Sequence, residues 1–118
     1  MDSRDIEDLF APAGYFNVRR MFGGHGVFDD GLMVALVAQG VVYLKVDAET
    51  QRAFEDAGLE CFSYMAKGQT KALGYRRMPE AAFDDPDVLV EWTGLARAAA
   101  RRAALRKAPK NKRPRKGP

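Results

Sequence analysis

With 118 residues, 47% of them hydrophobic, the chain can bury one core but has little surplus for a second. Its single cysteine, Cys61, excludes an internal disulfide and a CxxC motif, and the lack of any run of 18 apolar residues excludes a membrane-spanning helix. The net charge of +3 conceals a division: residues 1 to 96 hold all 16 acids against nine bases (−7), whereas Arg97 to Pro118 holds ten Lys or Arg and no acid (+10).

The N-terminus opens with Asp2, Arg4, Asp5, Glu7 and Asp8, unlike the basic-then-apolar start of an export signal, so a cytoplasmic protein is expected. From Ser3 to Ala11, Ile6, Leu9 and Phe10 follow helical spacing with acids near the start, and Pro12 and Gly14 close the helix. Four β-like runs follow: Phe16 to Phe22, His25 to Phe28, Leu32 to Ala38 and Val41 to Val46. Gly23, Gly24 and Gly26 mark the first corner, Asp30-Gly31 the second and Gln39-Gly40 the third. Asp-Gly and, more weakly, Gln-Gly suit a type I′ turn, whose two central residues need φ > 0, so an antiparallel meander is expected. Leu32 to Ala38 is apolar throughout, which predicts either a central strand covered on both faces or a contact between copies.

Asp47 is the predicted N-cap of a helix from Ala48 to Ala57, with Ala53, Phe54 and Ala57 inward and Gly58 after its end. Two more strands are expected at Cys61 to Met65 and Thr70 to Met78, around Lys67-Gly68-Gln69, with Pro79 stopping the second. The last helix starts at Asp85-Pro86-Asp87, an N-cap followed by proline at the first helical position. Its stripe is Val88, Leu89, Trp92, Leu95, Ala96 and Ala99, interrupted by Gly94, with anchoring expected to fade past Ala99 and the helix to end by Pro109. Lys110 to Pro118 lacks large apolar residues and is expected to be disordered in isolation.

These elements sum to a single α+β domain over residues 1 to 97. An antiparallel sheet of five or six strands carries an N-terminal, a middle and a long C-terminal helix, and residues 98 to 118 form a basic extension. A glycine cluster beside Arg19 and Arg20 invites comparison with phosphate-binding loops. It matches neither: the dinucleotide fingerprint would need glycine where Asp29 stands, and no glycine precedes a Lys-Ser or Lys-Thr pair. His25, the single histidine, has no nucleophile or orienting partner at a telling spacing, and one His with one Cys makes no metal site. Cys61, in an apolar run, is expected to be a buried, inert thiol. Asp29-Asp30 and Asp84-Asp85 are turn and capping residues, Lys45 a surface residue on a half-buried strand. No catalytic residue, metal or cofactor is expected. The C-terminal cations Arg101, Arg102, Arg106, Lys107, Lys110, Lys112, Arg113, Arg115 and Lys116 are candidates for sequence-independent contact with nucleic-acid phosphates.

One set of residues goes further. Arg20-Met21-Phe22-Gly23-Gly24 with Gly26, Asp30-Gly31-Leu32-Met33-Val34-Ala35-Leu36, Tyr43-Leu44-Lys45, and Lys71-Ala72-Leu73-Gly74-Tyr75 before Met78-Pro79 resemble, in this order, the N-terminal domain of the TfoX (Sxy) competence regulators. The resemblance covers about residues 5 to 97. It implies an α+β domain in a non-enzymatic bacterial cytoplasmic protein associated with transcriptional control of DNA uptake, and it carries over no ligand residues. Full-length members of that family add a second, helical domain and act alongside the cyclic-AMP receptor protein, whereas this chain continues past residue 97 as an Ala/Arg-rich extension. The expected partners are therefore DNA through the extension, a transcription-regulator protein on the acidic body, and a second copy of the chain, with no membrane role. A protein-interaction or homo-oligomerisation module without a nucleic-acid role is the alternative.

Overall fold

The computed structural model describes the backbone of residues 1–21, 23–66 and 69–112, and the side chains of these except 64–66, 69–73 and 107–112. Helix α1 (Ser3–Phe10) leads through a 3₁₀ turn (Ala11–Ala13) into β1 (Asn17–Met21), β2 (Gly24–Asp29), β3 (Leu32–Ala38) and β4 (Val41–Lys45). After α2 (Gln51–Asp56), β5 (Cys61–Ala66) and β6 (Gln69–Arg77) complete the sheet, and α3 (Ala81–Asp84) and α4 (Pro86–Lys112) follow. The six antiparallel strands lie in the order β1-β2-β3-β4-β6-β5, so the chain leaves β4, builds the far edge and returns between the two.

Local chemistry accounts for the elements. Asp2 and Asp5 form a reciprocal capping box at the start of α1, each side chain accepting from the other's backbone N–H. Both expected hairpin turns have positive φ at their two central residues: Asp30 at 54° with Gly31 at 81°, and Gln39 at 51° with Gly40 at 78°. Asp85 accepts from the Asp87 N–H at 3.0 Å to open α4. In β2–β3 the register passes from Val27↔Ala35 to Phe28↔Met33, leaving Val34 as an extra residue, and the consecutive Val34 and Ala35 are both fully buried.

All the helices that pack on the sheet feed one core. It joins Ile6 and Phe10 of α1, Phe16, Val27, Val34, Ala35, Val37, Val42, Leu44 and Val46 of the sheet region, Phe54 of α2 and Leu89, Ala96 and Ala100 of α4. Phe54 meets Trp92 edge-on at 4.9 Å between ring centres.

Several expectations change. The middle helix starts at Gln51, not Ala48, because Asp47 uses its carboxylate on the N–H groups of Glu49 and Thr50, closing a turn before the helix. Only Phe54 of its expected stripe is buried, while Ala53 and Ala57 are exposed. Gly58, at φ 72°, follows the helix as expected. The short α3 carries no side-chain cap hydrogen bond that would have announced it. Helix α4 continues past Pro109 to Lys112, and Lys110 to Lys112 are helical. Its anchoring persists beyond Ala99, since Ala100 is buried and Arg101 and Arg102 are tied to the body. Cys61 is exposed, at the start of the edge strand β5. β3 is central, but the core covers one of its faces, and Met33 and Leu36 stay outside that core, half-buried. The Lys67-Gly68 corner and Phe22 lie outside the described residues.

Candidate functional site

Three regions hold the residues singled out above. The first is the glycine corner. Gly23 supplies the positive φ (78°), whereas Gly24 and Gly26 supply room. A Cβ on Gly24 would collide with the Val37 carbonyl oxygen, and one on Gly26 would meet Met21 Sδ at 2.7 Å, Phe28 Cε1 at 2.9 Å and Met33 Sδ at 3.1 Å. Arg19 and Arg20 diverge by strand alternation. Arg20 and His25 are register partners, and together with Met1 to Arg4 they line an open cleft of about 460 Å³ at the start of α1. The amide hydrogen bond that a ligand would most readily use there is already taken by the Asp2 carboxylate.

The second region is α4. The Arg97 Nε donates to Asp29 Oδ2 at 2.8 Å and its Nη2 to the Ala13 carbonyl at 3.1 Å, with the guanidinium 4.9 Å from the centre of the Phe16 ring. Arg101 reaches the same Asp29 oxygen at 3.3 Å. Arg102 makes a two-pronged contact with Asp47, Nε to Oδ2 at 2.6 Å and Nη2 to Oδ1 at 3.0 Å, and lies 3.4 Å from Glu49. The Arg102 hydrogen bond, aided by the Thr50 and Glu49 amides, holds the Asp47 carboxyl down at about 2. Arg101 and Arg102 thus bind acids of the chain's own body. Arg106 is exposed, and Lys107, Lys110 and Lys112 continue along the helix. Arg113, Arg115 and Lys116 lie outside the described residues.

The third region is the sheet face away from the core, which the sequence reading did not assemble. Strand register aligns Arg19↔Gly26, Gly26↔Leu36, Leu36↔Tyr43 and Tyr43↔Arg77, one row across five strands. Beside it, Arg19 stacks over the Phe28 ring at 4.8 Å, Tyr43 and Phe62 meet edge-on at 4.7 Å, and Lys45 Nζ lies 5.1 Å from the centre of the Tyr75 ring. Of the family-motif residues, Gly26 and Tyr43 share this row, Met21 and Lys45 flank it, and Leu44 turns into the core. Alternation along each strand could have suggested such a face, but only the register shows which residues align.

Among the described residues no group of three His, Cys, Asp or Glu is placed to hold a metal ion, and no helix is long and apolar enough to cross a membrane.

Comparison with known proteins agrees with the motif. The TfoX N-terminal domain family model matches residues 8–100. A relative from Aliivibrio fischeri, DNA transformation protein TfoX1, is 37% identical over 62 residues, which cover 52% of this chain and 30% of the relative. The match therefore spans about a third of that curated protein's length.

Proposed function

This chain belongs to the TfoX N-terminal domain family, and from that premise we propose that it is a non-enzymatic, cytoplasmic regulator in bacterial DNA uptake. Its acidic body contacts a protein of the transcription machinery, and its C-terminal cations contact DNA without reading sequence. The observation that carries the second part is the split use of the α4 arginines. Arg97, Arg101 and Arg102 neutralise Asp29 and Asp47, which fastens the helix to the body. From Arg106 onward the remaining seven cations meet no acid in the sequence that follows. The helix is thus held at one end and extends its positive charge at the other.

Such an arm binds phosphates by releasing their counterions, with a salt dependence set by the number of contacts. For seven cations the slope of log K against log salt would be no steeper than about −6. Changing Arg106, Lys107, Lys110, Lys112, Arg113, Arg115 and Lys116 together to glutamine should abolish duplex binding and its salt slope while leaving the melting temperature in place. Unchanged duplex binding would remove the DNA part of the proposal. The arginines at 97, 101 and 102 are kept in this test because they hold the fold.

A further inference from the structure

The uncovered sheet face has a composition that sets it apart from the rest of the body. In a body of net charge −7, the row Arg19, Gly26, Leu36, Tyr43 and Arg77 contains no acid. Nor is there one among its flanking residues Met21, Phe28, Met33 and Lys45. Among the described residues, Arg19, Lys45 and Arg77 form no ion pair, whereas the arginines of α4 that reach the body are spent on its acids. The face also concentrates rings: Phe28 beneath Arg19 and Tyr43 against Phe62, with a buried Tyr75 beneath Lys45 at the end where Ala100, Ala103 and Ala104 of α4 line a shared cleft. Phe28 and Tyr43 are half-buried.

We infer that this face, the Arg19–Arg77 row with Phe28 and Tyr43, is a binding surface for a single strand of nucleic acid, whose bases stack on the rings and whose phosphates meet the cations. Three physical arguments select this occupant. An apolar protein partner would leave Arg19, Lys45 and Arg77 desolvated without counter-charges, while a phosphate backbone supplies a charge for each. A row of five strands at about 4.8 Å spacing separates its terminal arginines by about 19 Å, room for several nucleotides laid across the sheet. A duplex keeps its bases inside and offers the rings nothing to stack on, so the face favours unpaired strands. Stacking and phosphate charge do not read the sugar, so DNA and RNA strands bind alike. Gly26, second in the row, has no side chain, and Met21, Phe28 and Met33 close over it, which leaves room for the Phe28 ring on this face. The body's acids do not cancel the site, because Asp29 and Asp47 are already neutralised by α4 and charges more than about 10 Å away are screened at physiological salt.

This surface is separate from the C-terminal arm, and the two can fail independently. Fluorescence anisotropy of the full chain with a labelled oligothymidylate and an oligouridylate of about 12 nucleotides, and with a duplex of the same length, reads both. Both single strands should bind about tenfold more tightly than the duplex. Phe28→Leu with Tyr43→Leu keeps apolar bulk and removes the stacking planes, and it should weaken single-strand binding about tenfold or more with duplex binding unchanged. Arg19→Gln with Arg77→Gln, both at exposed positions, should lower single-strand affinity and reduce its salt slope by about 2. This second pair keeps the inference testable should the ring variant unfold. Equal affinity for duplex and single strand, or single-strand binding unmoved by either pair, would overturn it. So would a stable dimer that the same substitutions dissociate, which would make the face a contact between copies. Loss of duplex binding alone in the glutamine variant of the arm concerns the arm and leaves this inference standing.

Discussion

Two rows of residues run side by side across the same sheet and differ by one position on every strand. Val18, Val27, Ala35, Leu44, Arg76 and Cys61 form one; Arg19, Gly26, Leu36, Tyr43 and Arg77 form the other. In the first, Val27, Ala35 and Leu44 have no solvent exposure, because α4 closes over them. In the second only Gly26 is buried, under Met21, Phe28 and Met33 of its own face, and Leu36, as apolar as Leu44, keeps partial exposure. The difference teaches that burial here follows from where the helices land and not from the hydrophobicity of the strand. Apolar residues stand on both sides of the sheet, but the helices cover only one.

The comparison can be broken by matched substitutions. Leu44→Ala should cost about 3 kcal/mol in urea unfolding, because it empties a closed part of the core. Leu36→Ala, one row over and only half-buried, should cost about 1 kcal/mol. Equal losses would mean that the second face is covered too. The glycines repeat the contrast. Gly24→Ala drives its methyl into the Val37 carbonyl and should cost about 2–3 kcal/mol, whereas Gly26→Ala meets only side chains, the tips of Met21 and Met33 and the edge of the Phe28 ring, and should cost about 1–2 kcal/mol.

The fastening of α4 to the covered face sharpens the comparison through pH. Asp47 titrates at about 2 in the folded chain, below its ordinary 3.8, so the stability it contributes is fully present above about pH 5 and is lost as pH falls through 4 towards 2. Thermal melts of the wild type should show that decline, and Asp47→Asn should flatten it. A profile unchanged by the substitution would disconnect Arg102 from the anchoring of the helix. The smallest effect is a gain. A methyl added at Gly94 meets open space, so Gly94→Ala should stabilise the chain by about 1 kcal/mol through helix propensity alone.

Much of this was legible in the residues. The meander, its two positive-φ turns, the cap at Asp85 and the family motif are all local signals, complete within a few positions of the chain. The candidate site was legible only as a list. Arg101 and Arg102 look like members of a free basic tail because their partners, Asp29 and Asp47, stand 72 and 55 residues away. The aromatic and cationic face escaped for a related reason. Arg19, Phe28, Tyr43, Phe62 and Arg77 are scattered over five strands, and no short stretch of the chain holds two of them together.

The sequence by itself determined where the hairpins turn, where the first and last helices begin and which family the chain belongs to, since φ preferences, caps and motif order act over short distances. Tertiary structure alone decided which sheet face is covered and which arginines are spent on the acids of the fold. Those outcomes depend on strand order and on the landing of α4, and both are set by packing between residues far apart in the chain.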